Sequence, residues 1–172
     1  SYPPRECGIA TYTQDLIKAL NNKFSNSLAI KVCALENGTS GLHYTDEVKY
    51  VIRTSLAAEF EKTSFKINRD QDVRIVLIQH EFGFFKKQEQ SFLNFLKLIN
   101  KPIVIVFHTV LPNPDVQQKN SIINIASNCE SIIVMTNNSA NILIDNYDVS
   151  SDKINVIAHG THLVQHLSER FL

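Results

Sequence analysis

The chain is 172 residues long, with 44 % apolar and 20 % charged side chains, and its 17 Lys and Arg balance 17 Asp and Glu. This is the composition of a globular domain with a full core, which excludes a disordered chain and offers no bulk charge for holding nucleic acid. No apolar run approaches the ~18 residues that a membrane span needs, and three widely spaced cysteines, Cys7, Cys33 and Cys129, form neither a disulfide framework nor a zinc site.

The opening segment, SYPPRECG, carries two prolines and a Cys-Gly pair, and gives way to a helical repeat of Ile9, Tyr12, Leu16 and Leu20. SLAIKVCAL (27–35) reads as a strand, NGTSG (37–41) as a loop and VKYVIR (48–53) as a short strand. Leu56, Phe60 and Ile67 share one face of a helix over 56–68. VRIVLIQ (73–79) is a continuous apolar run rich in β-branched residues, suited to a strand buried on both faces. Phe92, Phe95, Leu96 and Ile99 mark a helix, and PIVIVFH (102–108) is a second buried strand. NPD (113–115) starts the next helix, with Asn113 as cap and Pro114 in its first turn. SIIVMT (131–136) is another strand, Ala140, Leu143, Ile144 and Tyr147 form a helical face, and INVIAHG (154–160) closes with a strand.

The alternation predicts an α/β fold, a Rossmann-like doubly wound parallel sheet with helices on both faces. One domain spans 1–172, and residues 163–172 would begin either a linker to a further domain or a last helix. Ligands in such sheets bind beyond the carboxyl ends of the strands. That rule selects residues 3–9, 79–83, 108–114, 136–139 and 159–162.

Each of these places has a functional reading and a plainer one. Gly8, at the start of the first helix, permits close approach of a ligand to the backbone, and free N–H groups there favour an anion such as phosphate; alternatively Pro3, Pro4 and Gly8 simply make a turn. His80 and Glu81 end a buried strand, where Glu81 can accept sugar hydroxyls or act as a base, or the pair satisfies its own loop. His108 interrupts an apolar strand at its carboxyl end, where a neutral imidazole can hydrogen-bond a sugar hydroxyl or a backbone carbonyl, with Thr109 as a second polar contact, or it is a histidine satisfied within the core. Thr136 and Asn137 follow the next strand. His159 and His162 flank Gly-Thr, a turn with too few companions for zinc. No Gly-x-Ser-x-Gly elbow supports serine hydrolysis.

Taken in order, YPPRECGIATYTQDL, IQHEFGFF, VIVFHTVLPNP, IIVMTNNSANIL and INVIAHGTH resemble the amino-terminal half of retaining GT-B glycosyltransferases of family 4. The resemblance runs along nearly the whole chain. It implies two Rossmann-like domains facing across a cleft, with this one on the acceptor side and a carboxy-terminal one holding most of the nucleotide sugar. It further implies sugar transfer from a nucleotide-diphosphate donor with retained configuration, no essential metal, and no activity for this half alone. Arg5, Glu6, Cys7, Gly8 and Ile9 would lie near the donor phosphates. His108 would align the reacting centre, and His80, Glu81, Thr109, Thr136, Asn137 and His159 would contact substrate. Cys7-Gly8 stands where many members have Gly-Gly, Ala158 where Pro is common, and HGTH where many have NGVD.

The resemblance also implies a central strand ahead of Ser1, so the chain is expected to be part of a longer enzyme or to cover the gap by dimerising. The partners expected are a nucleotide sugar, a carbohydrate or glycan acceptor and the second domain. The expected location is the cytoplasm, including the inner membrane face. Two other functions fit the same cleft: a non-catalytic carbohydrate- or phosphate-binding module, and part of a GT-B nucleotide-sugar epimerase.

Overall fold

A computed structural model describes residues 1–25, 27–37, 42–85 and 88–160. Helices and strands alternate as the apolar periodicity requires. In chain order they are α1 (Gly8–Phe24), β1 (Val32–Glu36), β2 (Val48–Arg53), α2 (Ala57–Arg69), β3 (Val76–His80), α3 (Glu89–Leu98), β4 (Ile103–Phe107), α4 (Val116–Ser127), β5 (Ser131–Val134), α5 (Asn137–Tyr147) and β6 (Ile154–Val156). Every strand pair is parallel. The proposed linker, residues 163–172, lies outside the described residues.

The strands form two sheets: β1 with β2, and β3-β4-β5-β6 in sequence order. β4 is covered on both faces, since the consecutive residues Ile105, Val106 and Phe107 are all buried although their side chains alternate. The larger core joins Phe60 and Ile67 of α2, Phe92, Phe95 and Leu96 of α3, Ile122 and Ile125 of α4, and Leu143 and Tyr147 of α5 to Ile105, Phe107, Ile132 and Val134 of the strands. Ile52 of β2 belongs to this core, and Cys33 and Leu35 of β1 pack against it. A smaller cluster holds Tyr2, Ile17 of α1, and Val32 and Ala34 of β1. A polar tie joins the approaches to the two sheets. Lys31 donates to Asp70 (2.7 and 2.9 Å) and to Asp72 (3.1 Å), and the Tyr50 hydroxyl donates to Asp70 at 2.6 Å.

The division of the sheet leaves two inner edges open. On β3, the Val76 N–H donates to the Pro102 carbonyl at 2.9 Å and the His80 carbonyl accepts from His108 N–H at 3.1 Å. Alternation therefore turns the main-chain groups of Leu77 and Gln79 away from β4. On β1, Val32 N–H donates to the Glu47 carbonyl and the Glu36 carbonyl accepts from Thr54 N–H, which turns Cys33 and Leu35 away from β2. Among the described residues no strand pairs with either of these edges.

Several boundaries differ from the sequence reading. β1 begins at Val32, not near residue 27. The cap of α4 is Asp115, whose Oδ1 accepts from Gln118 N–H at 2.8 Å; Asn113 instead sits in the left-handed region, φ 54°. A carboxylate directly before the helix reaches a free N–H that a residue two positions earlier cannot. β6 is only three residues long, so His159 lies on the segment beyond it.

Candidate functional site

The site is built at the carboxyl ends of β3, β4 and β6, against the first turns of α1. Cys7 caps α1, its Sγ accepting from Ala10 N–H at 3.4 Å and lying 3.2 Å from the Ser1 hydroxyl. Burial raises the Cys7 thiol's pKa, but the hydrogen bonds from Ser1 and Ala10, together with Arg5, outweigh it and leave the pKa lowered. A Cβ added at Gly8 would meet no atom of the described residues within 4 Å, so among them the space beside the helix start is open. Arg5 lies 5.9 Å from the centre of the Phe84 ring, a cation–π contact that ties the opening loop to the segment after β3.

One turn into α1, Tyr12 joins the strand ends. Its ring meets His108 edge-on at 4.9 Å and His159 at 5.1 Å. His108 follows β4, and its Nε2 lies 2.7 Å from Gln79 Oε1 on β3. Beside it, the Thr109 hydroxyl donates to Glu81 Oε2 at 3.0 Å, while Glu81 Oε1 accepts from Phe82 N–H at 3.1 Å. Burial lowers the pKa of His108; Glu81 raises it in part, and His159 lowers it again. The imidazole is therefore held neutral at pH 7.

The structure brings together His108, Glu81, Thr109 and His159 from the sequence reading, with Cys7 and Gly8 at the start of the helix that carries Tyr12. Arg5 and Ile9 are half-buried and Glu6 is exposed. His80 is placed elsewhere. The resemblance would put it against substrate, but it is 4 % exposed and faces the core, boxed by Phe82, Phe85, Phe92 and Phe107 at ring-centre distances of 4.9–6.0 Å. Strand alternation is the reason: Gln79 and His80 must point to opposite faces, and the sheet's core face takes His80. Among the described residues its Nδ1 has no hydrogen-bond partner, and its pKa is pushed down to about 4 by burial, with a smaller contribution from His108.

Thr136 caps α5, its hydroxyl accepting from Ser139 N–H at 3.0 Å, with Asn137 exposed beside it. Thr136 thus holds the start of α5, of which Asn137 is the first residue. His162 lies outside the described residues.

Tyr12 and Gln79 were not singled out in the sequence. Tyr12 is hidden in an amphipathic repeat that it fits as a core residue. Gln79 had a readable signal, as the one amide that closes an apolar run directly before His80. Among the described residues no group of acidic, His and Cys side chains is arranged to hold a metal ion, and no helix is long and apolar enough to cross a membrane. No protein-family model matches the chain, and neither does any curated protein.

Proposed function

We propose that the chain is the acceptor-side part of a glycosyltransferase that moves a sugar from a nucleotide-diphosphate donor with retention of configuration. The observation that carries the reading is Tyr12 in contact with both His108 and His159. The helix that begins at Gly8 thereby meets the ends of two parallel strands, where α/β sheets bind ligands. The cluster has the chemistry such a reaction needs on this side: a neutral imidazole, a carboxylate oriented by Thr109, and an open helix start suited to phosphate. The motifs quoted above supply the family resemblance. On the same reading a second Rossmann-like domain provides most of the donor contacts and transition-state electrostatics, no metal is required, and a parallel strand leading into Ser1 occupies the space between the open edges of β1 and β3.

The test uses the full-length gene product with radiolabelled nucleotide sugars and an extract of glycan acceptors. Transfer of label supports the proposal. Interconversion of the nucleotide sugar without transfer would make it an epimerase, and binding without turnover a carbohydrate-binding module. Within an active enzyme, His108→Ala is expected to lower kcat by roughly 100-fold or more. Near-normal turnover would remove His108 from the reacting centre.

A further inference from the structure

We propose that Gln79 is a positioning residue that fixes His108 in the Nε2–H tautomer, so that His108 meets its ligand as a hydrogen-bond acceptor and selects an uncharged, hydroxyl-bearing group. The proposal deepens the reading of His108 as a site residue. Gln79 Oε1 lies 2.7 Å from His108 Nε2. A carbonyl oxygen only accepts, so the proton belongs to Nε2 and the lone pair to Nδ1. Among the described residues Nδ1 has no hydrogen-bond partner.

Its surroundings match that polarity. Glu81 presents a carboxylate already oriented by Thr109 and Phe82 N–H, which makes it a second acceptor. Tyr12 meets the ring edge-on and also touches His159, while His80 is buried on the core face of the sheet. Two neighbouring acceptors suit the hydroxyl protons of a sugar. A phosphate at neutral pH has few protons to give and would meet the Glu81 carboxylate, so this pair of acceptors disfavours it.

Two-bond proton–nitrogen correlation spectra of the histidine rings test this, with His108 assigned from the His108→Ala variant. Near neutral pH, Nε2 is expected in the protonated range and Nδ1 in the unprotonated range. The reverse pattern, or an average of the two, overturns the proposal. Gln79→Met removes the acceptor at similar volume. It is expected to average the two ring nitrogens while leaving the melting temperature within ~2 °C; an unaveraged Nε2–H pattern in that variant would show that Gln79 does not set the tautomer. Gln79→Glu keeps Nε2–H and adds a charge, and is expected to raise the titration midpoint of the ring by about one pH unit or more. An unmoved midpoint counts against the contact. If Gln79→Met fails to fold, the wild-type spectrum and Gln79→Glu still decide. None of these measurements needs turnover, so their failure is distinct from failure to transfer sugar.

Discussion

His80 shows how one side chain can couple this fold to pH. The folded chain holds it neutral inside four phenylalanine rings with its pKa near 4, whereas an unfolded histidine titrates at about 6.5. Between those values the unfolded chain binds the extra proton, so stability falls as pH drops through this window and levels off beneath it. The loss across the window is about 3 kcal/mol. Melting curves from pH 7 to 4 should show this decline, and His80→Phe, which fills the same aromatic box without a titrating group, should flatten much of it. An unchanged slope in that variant would place the acid sensitivity elsewhere. Gly8 makes the opposite case, a residue whose value lies outside packing. Since a Cβ there meets no atom within 4 Å, Gly8→Ala is expected to change stability by less than ~1 kcal/mol. On the proposed function, the same change in the full-length gene product should still weaken binding of a phosphate-bearing donor by about tenfold, read by titration calorimetry. Normal affinity would mean that no ligand approaches the backbone at this point.

Among the elements, helix starts separate structural from functional polar residues. Thr136 and Asp115 each accept from the backbone N–H three positions on in their helix. Thr136→Ala is therefore expected to cost about 1 kcal/mol of stability, and Thr136→Ser to restore most of it, both measured by chemical denaturation. A loss of substrate affinity without a stability change would instead return Thr136 to the ligand. The sequence made the existence of every strand and helix readable, because buried runs such as IVIVF and stripes such as Phe92, Phe95 and Leu96 belong to only one kind of element. What it hid was orientation. Gln79 and His80 are adjacent polar residues at the end of a strand, and only the coordinates reveal which one the core takes. The cap of α4 was misplaced for a related reason, since Asn113 and Asp115 are both good capping residues and the path of the loop chooses between them.

For the whole molecule, the feature that no local pattern announces is the division of the parallel sheet. Strand identity follows from composition, but pairing depends on which edges meet, and nothing in VCALE or VLIQH states that each has one neighbour. The division predicts an alternating hydrogen-exchange pattern along β3 in this 172-residue chain. The amides of Val76, Ile78 and His80 should be protected, and those of Leu77 and Gln79 should exchange on the order of 100-fold faster. Uniform protection would mean that a partner covers this edge. The two sheets are held in register from two sides, by the Lys31–Asp70 tie and by α1, whose Tyr12 touches His108 and His159 while Ile17 packs on Val32 and Ala34. That helix works as a clasp: one end of it grips the rings around the cleft, and its middle grips the smaller ply. On the proposed function, a ligand settling beside its first turn would also bias the alignment of β1 and β2, and a sideways pull on that ply would then loosen the ligand although no group in contact with it has changed.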